Sequence, residues 1–196
     1  FADHIIAVSN FTRQLLIHKY RIDQNKISVV HNGILPITIS TKKQTFSKKR
    51  PVIVFMGRLT LQKGAEYFLQ LASEVLKKVP ESLFIVAGDG DMYHELLLKN
   101  AGRNLSASVL FSGFIGTQKE KLLQRADVFV MPSLSEPFGL VALEAAQMST
   151  PVIVSKTSGV REVLPSAVQV DFWDVNKMTE EVVKVLSDKK YATQIS

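Results

Sequence analysis

Two cations and two carboxylates stand out in this 196-residue chain because of where they fall. Arg58 and Lys63 share the segment Gly57-Arg58-Leu59-Thr60-Leu61-Gln62-Lys63-Gly64, a glycine-flanked loop that can bring a guanidinium and an ammonium near one point. Glu136 and Glu144 have seven residues between them, beginning Pro137-Phe138-Gly139-Leu140, so one carboxylate can face a ligand at the mouth of a helix while the other lies further along it. Two cations and a helix N-terminus suit a diphosphate. Carboxylates there would repel it unless they accept hydrogen bonds from hydroxyls, which a sugar and a ribose supply. The common glycine-rich alternatives fail on spacing: a P-loop needs Lys after its last Gly followed by a hydroxyl, whereas Lys63 precedes Gly64, and the dinucleotide pattern G-x-G-x-x-G is absent between Gly57 and Gly64. Neither a Walker ATPase nor an NAD dehydrogenase is supported.

The elements that must position these groups follow from the hydrophobic pattern. From Pro51 onward, short β-branched runs alternate with amphipathic stretches, the signature of βαβ units and a parallel sheet. Strands are predicted at 52–56, 83–87, 109–111, 128–131, 151–154 and 167–170, and helices at 65–79, 92–100, 118–125, 140–147 and 175–187, with a short turn at 160–163. In an open doubly wound sheet, ligands bind beyond the carboxyl ends of the strands. The Gly57 loop, Gly88-Asp89-Gly90-Asp91 and the Glu136 loop all fall there. Upstream, Ile5–Val8 and Ile27–Val30 read as strands flanking a helix at 10–20 capped by Ser9, and 36–49 reads as a linker.

Composition narrows the class. Hydrophobic residues make up 46% and charged residues 21%, with no cysteine, which excludes a disordered tail, a disulfide miniprotein and a Cys-ligated zinc module. Lys and Arg number 24 against 18 Asp and Glu, a net +6, but Lys42, Lys43, Lys48, Lys49 and Arg50 account for most of the excess. That stretch reads first as a solvated linker and second as a peripheral contact for an anionic membrane; no aromatic interleaving marks a nucleic-acid partner. No apolar run approaches the roughly 20 residues of a membrane span, and a cytoplasmic protein is expected. None of the four histidines is assigned to catalysis.

Taken together, Glu136-Pro-Phe-Gly-Leu-Val-Ala-Leu-Glu144 and Gly57-Arg58-Leu-x-x-x-Lys63-Gly64 resemble the C-terminal half of retaining GT-B glycosyltransferases of family 4 (glycosyl transferases group 1). Ala2-Asp3-His4-Ile5-Ile6-Ala7-Val8-Ser9 and Val29-Val30-His31-Asn32-Gly33 are similar to that family's segment before its interdomain linker. Ala126-Asp127-Val128-Phe129-Val130-Met131-Pro132-Ser133 is similar to its strand into the glutamate loop. The resemblance implies an α/β, Rossmann-like parallel sheet forming one half of a GT-B fold, with 1–36 the end of an N-terminal acceptor domain, 37–50 a linker and 51–196 the donor-binding domain. It implies a metal-independent enzyme of polysaccharide biosynthesis, without cofactor, whose partner is a UDP-, GDP- or ADP-sugar. Arg58 and Lys63 would offset charge on the departing nucleotide and Glu136 would accept hydroxyls of the transferred sugar. Glu144 would hold the ribose, and the amides of Phe138, Gly139 and Leu140 the sugar and phosphates. Ile115 would read the base, and Gly57, Gly88 and Gly90 would leave room for the nucleotide.

Without most of the first domain, the fragment is expected to be inactive alone. Its residues 1–36 are expected either to pair with another chain or to fold against the outer helices of the sheet. A hydrolysing nucleotide-sugar epimerase and a non-catalytic nucleotide-sugar-binding subunit remain alternatives; against the former, no further acid/base carboxylate accompanies Glu136 beyond Glu144.

Overall fold

The computed structural model of the chain describes residues 2–36 and 50–196. Of the basic stretch, only Arg50 falls among them; its guanidinium donates to the carbonyls of Glu81 and Ser82. Two sheets form. The smaller pairs β1 (Ile5–Ala7) with β2 (Ile27–Val29) in parallel, joined by α1 (Asn10–Tyr20). Ser9 caps α1, its hydroxyl accepting from the Thr12 amide.

The larger sheet has six parallel strands: β3 (Val52–Met56), β4 (Leu83–Ala87), β5 (Val109–Gly113), β6 (Val128–Met131), β7 (Val152–Ser155) and β8 (Val168–Val170), in the order β5-β4-β3-β6-β7-β8. They alternate with α2 (Ala65–Lys78), α3 (Tyr93–Gly102), α4 (Lys119–Arg125), α5 (Leu140–Gln147) and, after β8, α6 (Val175–Ser187). This is the expected doubly wound Rossmann-like α/β fold. Successive β3 residues face opposite sides, and each side has its own core. Ile53 and Phe55 pack with Phe68 and Leu71 of α2 and Met178 and Val182 of α6; Val52 and Val54 pack with Leu123 of α4 and Ala142 and Ala145 of α5.

Most element ends fall within two residues of the periodicity. One helix was not predicted: α7 (Lys189–Gln194), capped by Asp188 and tied to α6 by Tyr191 Oη donating to Glu181 Oε2 at 2.5 Å. It is too short to display an apolar stripe of its own. No helix among the described residues is long and apolar enough to cross a membrane.

The chain winds from β3 outward through β4 and β5, then returns to lay β6 on the other side of β3 and winds outward through β7 and β8. The crossovers therefore diverge between β3 and β6, and the crevice at their carboxyl ends is where this topology leaves room for a ligand. The two loops bounding it are drawn together at Gly64, whose backbone is left-handed (φ 73°); a Cβ there would stand 1.9 Å from the carbonyl oxygen of Pro132. A Gly64→Ala variant is accordingly expected to lose at least about 2 kcal/mol in urea unfolding. Gly102→Ala, where a Cβ meets nothing within 4 Å, should shift stability by less than about 1 kcal/mol.

Candidate functional site

Leu59, fully buried, pegs the loop that follows β3. Its amide donates to Asp89 O and its carbonyl accepts from the Met92 amide, both at 2.9 Å. With Leu59 turned inward, Arg58 stands exposed at the rim, and its guanidinium makes no hydrogen bond or ion pair with the described residues. A 3-10 turn over Leu61–Lys63 then carries Lys63 back toward the crevice. Gln62 stitches this loop to the next: its carbonyl accepts from the Leu134 amide and its Nε2 donates to Ser135 O at 2.7 Å.

The loop following β6 is held from the far side by the segment after β7. The Glu136 amide donates to Thr157 O, the Gly159 amide donates to Glu136 O, and the Val160 amide donates to Phe138 O. Thr157 Oγ1 adds a bond to Ser133 O at 2.8 Å. Glu136, 5% exposed, thus presents its carboxylate at the crevice wall, where Lys63 Nζ donates to its Oε2. Gly139, with φ 108°, opens α5 immediately afterwards.

The outcome is a cleft of about 350 Å³. Of the residues singled out in the sequence, Gly57, Arg58, Lys63, Glu136, Phe138, Gly139 and Leu140 line it. Gly88 and Gly90 stand behind it, where their approach to the loop after β3 is so close that a Cβ on Gly88 would fall 1.9 Å from Gly57 O. Glu144 lies about one turn further along α5 than Leu140. Its Oε1 accepts from Lys119 Nζ at 2.8 Å, and its Oε2 is buried without a hydrogen-bond partner. Ile115 caps the turn leading into α4, away from the cleft lining. Sequence reasoning missed Lys119, for which no local spacing offered a signal. It also missed Val8 and Asn32, which line the cleft from the N-terminal segment.

With each glutamate matched by a lysine, Arg58 is left as surplus positive charge at the rim. An ammonium carries three donors, and Lys63 uses one on Glu136, leaving two for a ligand. The cleft can therefore take an anion on its cationic side and hydroxyls on Glu136. Among the described residues, no three His, Asp or Glu side chains gather where they could hold a metal ion.

Residues 2–36 dock mainly on these carboxyl-end loops, not on the outer helices of the large sheet, which is one of the two arrangements the sequence leads one to expect. Ser9 Oγ donates to Pro137 O at 2.6 Å, and Thr12 Oγ1 donates to the same carbonyl. Glu162 receives the Asn10 and Phe11 amides at the start of α1, the Asn10 side-chain amide, and His31 Nε2 at 2.9 Å. Burial would push the Glu162 carboxyl up, but these four donors outweigh it and hold it at about 2. The His31 ring in turn lies 6.0 Å from that of Phe138.

Comparison with known proteins gives the family and the fold. The family model "Glycosyl transferases group 1" matches residues 37–196 and the model "Glycosyltransferase Family 4" matches residues 1–36. The chain belongs to the glycosyl transferases group 1 family. It is 34% identical over 202 residues to the glycosyltransferase MJ1607 of Methanocaldococcus jannaschii, covering 94% of this chain and 51% of that protein. It is 27% identical over 203 residues to the phosphatidylinositol N-acetylglucosaminyltransferase GPI3 subunit of Saccharomyces cerevisiae, covering 97% of this chain and 45% of that protein. Its fold matches that of Anabaena Alr3699/HepE, solved in complex with UDP-glucose, with a TM-score of 0.87 at 22% identity over all of this chain and 57% of the other. The chain thus spans about half the length of the curated relatives it matches.

The depressed Glu162 carboxyl makes docking of α1 acid-sensitive. A carboxyl held at about 2, below its ordinary 4.5, contributes stability that is complete above pH 4.5 and is lost as pH falls through 2, worth about 3 kcal/mol when whole. The protection of the Asn10 and Phe11 amides relative to their intrinsic exchange rates should fall across that window. In Glu162→Gln that fall should be largely absent, with protection already lower at pH 7.

Proposed function

We propose that this chain forms the donor-binding half of a glycosyltransferase that moves a sugar from a nucleoside diphosphate to an acceptor with retention of anomeric configuration. The observation that carries the reading is the cleft at the β3/β6 switch point, where an unmatched Arg58 and a partly engaged Lys63 face the Glu136 carboxylate. The cations hold the diphosphate. As the bond from anomeric carbon to phosphate oxygen breaks, its electron pair stays with the leaving nucleotide, and Arg58, Lys63 and the amides opening α5 offset the growing charge. The acceptor hydroxyl oxygen forms the new bond to that carbon and its proton leaves with the released diphosphate, so no side chain need deliver a proton to the leaving group.

Glu136 accepts hydroxyls of the transferred sugar and Glu144 those of the ribose, while the backbone of Ile115, outside the cleft lining, is assigned to read the base. A UDP-sugar is the first donor to try, because the Anabaena structure of matching fold was solved with UDP-glucose. Residues 1–36 are read as the end of an acceptor-binding domain, joined by 37–50 to the donor-binding domain at 51–196.

Calorimetry with UDP tests the cationic assignment. Arg58→Ala should weaken binding by about 1.5–3 kcal/mol, the worth of a charge-assisted hydrogen bond, and leave the melting temperature unchanged because Arg58 has no partner to lose. Lys63→Ala should weaken binding similarly and also lower stability, since it strands the buried Glu136 carboxylate. Equal affinity in parent and Arg58→Ala would remove the diphosphate from this position.

A further inference from the structure

Both glutamates of the Glu136/Glu144 pair carry a lysine, but the two lysines come from different places. Lys63 sits in the loop after β3. Lys119 is the first residue of α4, directly behind the turn Gly116–Gln118 that Ile115 caps. Its Nζ donates to Glu144 Oε1 at 2.8 Å, with 32% of the lysine side chain and 16% of the glutamate side chain exposed. Glu144 Oε2 is buried and has no hydrogen-bond partner among the described residues. A buried acceptor is costly to leave unmet, so an oxygen in this state is an open position for a donor from outside the chain.

The pairing has two consequences. It engages one oxygen and sets the plane of the carboxylate, so that Oε2 is the acceptor left for a ligand. It also supplies a cation beside Glu144, which would otherwise set an unmatched negative charge near an anionic ligand. An ordinary staple between α4 and α5 would produce the first effect without any ligand, but it would leave Oε2 buried and unmet, a cost that a ligand donor would relieve.

We infer that Lys119 is a positioning residue that fixes Glu144 to accept hydrogen bonds from the adjacent hydroxyls of a ribose, and so makes the site discriminate ribonucleotides from nucleotides lacking those hydroxyls. This inference rests on the reading of the cleft as a nucleotide-sugar site. Lys119 touches no ligand; it acts through Glu144.

The test is calorimetric titration of the full chain with UDP and with 2′,3′-dideoxy-UDP, repeated with GDP and ADP and their dideoxy counterparts. The parent should prefer the ribose form of its nucleotide by about tenfold, the scale of one charge-assisted hydrogen bond. In Lys119→Met, and in Lys119→Gln run beside it, the preference should shrink to less than about threefold through weaker binding of the ribose form, with the dideoxy affinity nearly unchanged. Lys119→Arg should restore it, and Glu144→Ala should abolish it. A Lys119→Met or Lys119→Gln protein that melts earlier but keeps the full preference would reduce the pair to a staple and overturn the inference while leaving the nucleotide site standing. A parent that binds without preferring the ribose form would overturn the placement of Glu144 and Lys119 together. A parent that binds none of the three nucleotides would overturn the reading of the cleft itself.

Discussion

The arrangement of the site depends on keeping the Glu136 carboxylate almost fully buried in the wall of the cleft. A buried carboxylate is several kcal/mol out of favour unless a cation and hydrogen bonds accompany it. Lys63 is that cation, and it reaches Glu136 because the loops after β3 and β6 are pressed together at Gly64 and Pro132 and stitched by Gln62. On the other side, the Glu136 backbone is held by Thr157 and Gly159 beyond β7. Three strand ends therefore cooperate to hold one buried acidic side chain in the wall of the cleft, where it can accept from a ligand hydroxyl.

The charge pattern follows from the same constraint. Since Glu136 is matched by Lys63 from the loop after β3 and Glu144 by Lys119 from the start of α4, the cleft and the helix beside it do not become anionic despite two glutamates. Arg58 is left over, exposed and unpaired among the described residues, so the mouth of the crevice is positive while its inner wall offers acceptors. An anion bearing hydroxyl groups fits such a surface better than an anion or a polyol alone. This agrees with a family whose members are glycosyltransferases.

A second carboxylate ties the small N-terminal sheet to the same place. Glu162 sits on the turn after β7 yet satisfies amides at the start of α1 as well as His31, so the end of α1 borrows its anion from the other sheet. Ser9 and Thr12 meanwhile hold the Pro137 carbonyl, one residue from Glu136. The N-terminal segment is thus a wall of the cleft, adding Val8 and Asn32 to its lining.

Much of this was legible in the order of residues. The alternation of β-branched runs with amphipathic stretches announced the parallel sheet, Ser9 marked the start of α1, and the loops carrying Arg58, Lys63 and Glu136 were recognisable as strand-to-helix connections. These are local properties, set by backbone sterics and periodicity over a few residues. The partners of the charged groups were not legible. Lys63 meets Glu136 across 73 residues, Lys119 meets Glu144 across 25, and Glu162 meets Asn10 across 152. Such contacts depend on strand order and on how closely two backbones can approach, neither of which leaves a periodic trace. So the sequence alone specified the elements and the residues with chemical capacity, while folding determined which carboxylate is neutralised by which lysine and which cation is left free.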